Sequence, residues 1–297
     1  MAKPWKVEGI TASTPAREAA AELIAMKLGE LRHHAQHAVE RTDPEDTHAV
    51  RVASRRLRAT LGLLGGPLEE FREGVKRLGR ILGEVRDHDV LLAWLADVEA
   101  RAESDELPGI ARLREQRQAE LPALEAMMRE AVGAFEVHVA QPLNLRLGEA
   151  GWPGRLGGGR ARRHLSRRLK KLGRQIEELE AQGLEQATPV HQLRIAGKKA
   201  RYELELMEGV LPPAEEALDR LKTLQEIIGE LHDADVRIAF LPHYLVGVPR
   251  AEQSGVVRLL KESLLARGQH AARLAAELPN WQSGDTARLL ARQLRHA

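Results

Sequence analysis

With 297 residues, 43% of them apolar and 30% charged, and a formal charge of +2, the chain is long enough to bury a sizeable core and has the make-up of a soluble globular protein. It contains no cysteine, which excludes a disulfide framework or a thiolate metal site, and no apolar run reaches the roughly 20 residues that a membrane-spanning helix needs. Aromatic residues are only 3%, so the core must come from Leu, Ala, Val and Ile, a mixture that favours helices over sheets.

In chain order, the N-terminus lacks the apolar stretch of a secretory signal, so a cytoplasmic location is expected. Thr14-Pro15 then opens a helix in which Leu23, Ile24, Leu28 and Leu31 recur with helical spacing. Asp43-Pro44-Glu45 opens a second, running to about Leu64 and stopped by Gly65-Gly66-Pro67. A third is predicted over 68–85. A fourth follows the punctuation at Asp87-His88-Asp89 and runs towards Arg101, and another helical pattern extends from Leu107-Pro108-Gly109 to about Val139. The stretch 141–159, with Pro142, Gly148, Gly151, Pro153, Gly154 and Gly157-Gly158-Gly159, reads as a linker. It separates a helical repeat at 15–140 from a second at 160–290. No segment alternates with period two, so the fold class is all-α.

The second half replays the first. His48-Ala-Val-Arg51-Val-Ala-Ser54-Arg55-Arg56-Leu-Arg58 matches His191-Gln-Leu-Arg194-Ile-Ala-Gly197-Lys198-Lys199-Ala-Arg201 at an offset of 143. Gly83-Glu84-Val-Arg86-Asp87-His88-Asp89 matches Gly229-Glu230-Leu-His232-Asp233-Ala234-Asp235 at an offset of 146. Two matching blocks in the same order read as an internal duplication.

On a helix, His48, Arg51, Arg55 and Arg58 fall within an arc of about 80°, opposite Ala53, Leu57, Leu61 and Leu64. His191, Arg194, Lys198 and Arg201 repeat that arc. Like charges at these spacings repel, and neither stretch contains an acidic residue to relieve them, so an anionic ligand is expected to supply the countercharge. Between residues 160 and 201 there are twelve Lys or Arg against four Glu, a local excess that matters more than the net charge. Lys27, His33 and His34 on the first helix have counterparts in Arg163, Arg167, Arg168, Lys171 and Arg174; Lys76, Arg80 and Lys222 add charge from the third helices. Arg grips phosphate oxygens bidentately and Lys supplies a point charge, so stripes on several helices suit a linear polyanion. Histidines beside phosphate would gain a proton, strengthening binding as pH falls towards about 6.

The clusters Asp87-His88-Asp89 and His232-Asp233-Ala234-Asp235 admit three readings: helix caps, groups that orient basic side chains, or ligands of a divalent metal in a phosphohydrolase. No Walker loop, GxGxxG, GxSxG or HExxH motif occurs, and neither metal nor cofactor is expected. Base-stacking aromatics are nearly absent, which argues against nucleic acid as the partner.

The duplicated blocks, with His191, Arg194, Lys198, Lys199, Arg201 and Tyr202 in the second and His48, Arg51, Arg55, Arg56 and Arg58 in the first, resemble those of the CHAD (conserved histidine α-helical) domain family across roughly residues 15–290. The resemblance implies two four-helix bundles related by a pseudo-twofold around a basic central groove or pore. It also implies binding of inorganic polyphosphate and, in some members, association with polyphosphate granules. The ExExK motif of the triphosphate-tunnel module that some relatives carry does not occur in this sequence, so binding without catalysis is expected. Glu226 stands where the first half has Arg80, a departure that lets the two grooves differ in charge.

Overall fold

The computed structural model describes residues 5–40, 44–64, 66, 68–149, 151, 159–184, 187–207 and 215–282. The first half comprises α1 (Ala16–Glu40), α2 (Pro44–Leu64), α3 (Phe71–Glu99), α4 (Leu107–Phe135), a π-helical turn (Glu136–Ala140) and α5 (Gln141–Leu147). The second comprises α6 (Gly159–Gln182), α7 (Ala187–Leu206), α8 (Glu215–Val246), a 3-10 turn (Arg250–Glu252) and α9 (Gln253–Gln282). No β-strand occurs among the described residues, and the all-α class holds.

Each helix follows its leucine spacing. Ile24, Leu28 and Leu31 of α1 meet Leu57 and Leu61 of α2 and Leu78, Leu82 and Val85 of α3 in a first core. Leu165, Leu169 and Leu172 of α6 meet Leu193 of α7, Leu221, Leu224 and Leu231 of α8 and Leu274 of α9 in a second. Consecutive helices pack side by side in both halves, with α1 also touching α4 and α6 touching α9, so each half is a four-helix bundle.

Two expectations are corrected. The break at Asp87-His88-Asp89 does not exist: α3 runs unbroken for 29 residues, and Asp233-Ala234-Asp235 lies inside the 32-residue α8. These aspartates therefore cap nothing. Val85, His88, Leu95 and Val98 are all buried, so the 3.6-residue register continues through the acidic cluster and burial overrides its turn propensity. The linker is also shorter than 141–159, because α5 occupies Gln141–Leu147. Leu143 and Leu147 are buried in the first core, and Pro142 sits in the first turn of α5, directly after the π-helical turn. The expected stop at Gly65 and Pro67, the helix start at Asp43, most of the glycine-rich stretch and the end of the second repeat after Gln282 lie outside the described residues.

A third core joins the halves: Leu95 and Val98 of α3, Ile110 and Leu113 of α4, Leu241 of α8, Val248, and Val256 and Leu259 of α9. Its backbone contact is between Gly109 and Gly255. A methyl built on Gly109 would collide with the Glu252 carbonyl oxygen, and one on Gly255 with the Glu106 carbonyl oxygen. Gly255→Ala is thus expected to destabilise by about 3 kcal/mol, the upper range for an over-packed contact, read as a lower urea midpoint. Gly133→Ala, with nothing within 4 Å of the added carbon, is the matched control and should stabilise slightly.

Candidate polyanion-binding groove

At the centre of the molecule α2 and α7 pack against each other. Leu57 and Leu61 are drawn into the first core and Leu193, Ala200 and Leu204 into the second, which turns the opposite, basic faces of both helices into one cleft. Arg55 and Arg58 come from α2, Arg194, Lys198 and Lys199 from α7, and the walls are Arg72 of α3 and Arg168 of α6, around a space of about 660 Å³. A second space of about 670 Å³ adjoins it, lined by Arg168, Lys171, Gln175, Gln192, Ile195 and Lys199. Because Arg168, Ile195 and Lys199 line both, the two form one groove from α3 across α2 and α7 to α6.

Its charges are only partly compensated. Arg51, which lines neither space, donates to Asp87 Oδ1 at 2.8 Å, and Arg168 Nε meets Glu203 at 3.2 Å. Arg55, Arg58, Lys171, Arg194, Lys198 and Lys199 pair with no described carboxylate. Burial, followed by Arg55, Arg194 and Arg51, drives the Lys198 amine down from 10.5 to about 6. Burial likewise lowers Arg51, Arg58, Arg194 and Lys199, each reinforced by neighbouring guanidinium groups. His232, beside His191 at 5.4 Å between ring centroids, is pushed down to about 4 by burial and then by Arg194. Burial raises Asp233 despite the nearby Arg194. A cleft of this kind destabilises its own cations and would release that penalty to a bound anion.

Several expected contacts lie elsewhere. Lys27, Arg56 and Arg201, expected to bind the polyanion, face away from the groove in a buried ionic cluster, and carboxylates outside the two repeated stretches supply their countercharge. Lys27 reaches Glu30 at 2.9 Å, Arg56 reaches Glu30 at 2.7 Å and Glu205 at 3.7 Å, and Arg201 reaches Glu205 at 3.2 Å. Lys27 also donates to the Trp5 carbonyl at 2.6 Å. Trp5, Val7 and Ile10 help line the cavity beside this cluster, with buried Tyr202 standing between it and the groove. Lys76 pairs with Glu73 and Lys222 with Asp219 on exposed surface. Arg80, Arg163, Arg167 and Arg174 are exposed and line neither part of the groove. His33, His34 and His48 gather with His37, Glu45 and Asp46 in a separate open cleft, where burial lowers His34 and His48.

Arg72 and Glu203 were not foreseen. Arg72 lies one turn before Lys76 on a helix whose neighbours in space are not encoded by its own spacing. Glu203 falls beyond the repeated block, and only the α6–α7 contact brings it to Arg168 and to His164 at 3.2 Å. The aspartates of the two clusters hold basic side chains: Asp87 holds Arg51, and Asp235 holds Arg267 at 2.7 Å. Among the described residues no three His, Asp or Glu side chains are placed to hold one metal ion, and no described helix is long and apolar enough to cross a membrane.

Comparison with curated proteins gives no match. Among solved structures, the CHAD domain from the plant Ricinus communis superposes with a TM-score of 0.69 at 23% identity, over 94% of this chain and 97% of that one. PptA from Streptomyces chartreusis superposes with a TM-score of 0.58 at 16% identity, over 96% and 100%. At such identities the likeness is one of fold. The CHAD domain family model matches residues 22–242, most of the length over which the helices build the groove, and the chain belongs to the CHAD domain family.

Proposed function

We propose that the groove binds inorganic polyphosphate and performs no chemistry on it. The observation that carries this reading is the set of five cations, Arg55, Arg58, Lys171, Arg194 and Lys199, and the Lys198 amine along one continuous cleft, none of them paired with a described carboxylate. A polymer with one charge per phosphate would neutralise them in succession, and its oxygens would take the bidentate geometry of the guanidinium groups. The engagement of Asp87 by Arg51 and of Asp235 by Arg267 favours binding over metal-assisted hydrolysis. Tyr202 is buried beneath Arg201, whose guanidinium carbon is 4.8 Å from its ring centroid. It offers no platform for stacking a base, which favours bare phosphate over nucleic acid. The same reading carries a cytoplasmic protein recruited to polyphosphate granules.

Titration with long-chain polyphosphate at about 0.15 M salt, where surface charges are largely screened, tests it. Binding there, with no phosphate released in the presence of Mg²⁺ and weak competition by duplex DNA, is expected. Equal competition by DNA sinks the assignment.

Binding should also be pH-dependent, with a sign set by Lys198. Its amine sits at about 6 in the free protein, and a bound polyanion raises it, so binding takes up a proton. Affinity should therefore fall as pH rises from about 6 into the ordinary lysine range, and level off below about 6 as Lys198 becomes charged beforehand. Calorimetry in buffers of different ionisation enthalpy reads this uptake directly. Burial and adjacent cations hold His34, His48 and His232 down, so these three do not set that sign.

A further inference from the structure

Lys198 has a chemical character that electrostatic binding does not use. It lies in the groove between Arg55 and Arg58 of α2, Arg194 of α7 and Arg168 of α6. Arg51 adds a further positive field, and Asp233 of α8 is the carboxylate that opposes it. No described carboxylate pairs with its amine. Burial and these guanidinium groups leave that amine mostly unprotonated at neutral pH. The result is an uncharged primary amine, accessible through an open cleft and ringed by receptors for phosphate. An unprotonated lysine is a nucleophile, and a phosphate-bearing electrophile would be held against it.

We infer that Lys198 is a self-modification site at which acyl phosphates acylate the protein, with Arg55 and Arg194 seating the phosphate. The Lys198 nitrogen lone pair attacks the acyl carbon and forms a C–N bond. The bond from that carbon to the phosphate oxygen breaks, inorganic phosphate leaves with the electron pair, and the surplus amine proton passes to it or to solvent. No electrons are exchanged and no further reactant is needed. The product amide cannot be protonated, so the groove loses the charge that a polyanion would restore, and acylation lowers affinity for the polymer. This inference rests on the reading of the groove as a phosphate receptor.

The expected selectivity follows from two opposing effects. At about pH 7.5 an ordinary lysine is about 0.1% free amine while Lys198 is almost wholly so, an advantage of about 10³. Intrinsic nucleophilicity falls as pKa falls, with a Brønsted slope near that of thiols removing about 10², which leaves about tenfold. The full-length protein, free of polymer, is incubated with acetyl phosphate and each lysine is followed by peptide mass spectrometry. Lys198 should be acetylated about tenfold faster than the exposed Lys170 or Lys261. The preference should shrink when acetyl phosphate is replaced by the uncharged N-hydroxysuccinimidyl acetate. Excess polyphosphate should suppress it, both by occupying the guanidinium groups and by protonating the amine. Acetylation of Lys198 no faster than that of Lys170 and Lys261 overturns the inference. If polyphosphate binds and Lys198 is not preferred, the inference alone fails. Absence of polyphosphate binding in the parallel titration counts against the groove's proposed function itself.

Discussion

Simultaneous replacement of Arg55, Arg194 and Lys199 by Ala is expected to lower polyphosphate affinity by about 10³, taking about 1.5 kcal/mol for each charge-assisted contact. The thermal midpoint should hold, because none of the three pairs with a described carboxylate, and the loss of Arg194 opposite Asp233 is offset by relief of its repulsion with Arg55. The replacement also relieves the repulsion that holds Lys198 down. Calorimetric titration at constant salt, with circular dichroism on the same samples, reads both quantities. An affinity close to that of the parent chain would show that the groove is not the binding site. Arg201 does not belong in this set despite its place in the repeated block, since its loss would confound affinity with folding.

Arg56→Ala should have the opposite profile. Glu30 is fully buried, with Arg56 at 2.7 Å and Lys27 at 2.9 Å. Glu205 is shared between Arg56 and Arg201. Truncating Arg56 leaves a buried carboxylate with half its compensation and opens a cavity at the seam between the halves. Loss of one partner of a buried pair costs about 3–5 kcal/mol, measured here by urea unfolding, while polyphosphate affinity of the folded fraction stays near that of the parent. Arg56→Lys, which restores a cation beside Glu30, should recover much of the loss. If Arg56→Ala unfolds no more readily than Arg58→Ala, the ionic seam has no structural role.

These contrasting outcomes fall on residues that look alike in the sequence. Arg55, Arg56 and Arg58 are neighbours in one basic block, and Lys198, Lys199 and Arg201 repeat it. Helical spacing correctly separated the basic arc from Leu57 and Leu61, since a side chain's face on its own helix depends only on the 3.6-residue period. Spacing did not tell which cations would meet carboxylates from other helices. Glu30 lies 26 residues from Arg56 and Asp87 lies 36 from Arg51, separations that only packing closes. The copies also diverge: by the offset of 143, Arg201 of the second block stands where Arg58 stands in the first, yet Arg58 lines the groove and Arg201 joins the buried cluster.

Composition, the leucine period and the two repeated blocks determined, by themselves, an all-α chain of the CHAD family with a basic stripe in each half, because these depend on residue identity and local spacing alone. The tertiary structure decided the rest. It carried α3 and α8 straight through their acidic clusters, since continuous burial on both sides outweighs the turn preference of two aspartates. It placed Gly109 against Gly255 to seat one half on the other. It also divided the cations into a buried ionic seam and an open, only partly compensated groove, because charge balance inside a protein is set by whichever side chains the packed helices bring within reach.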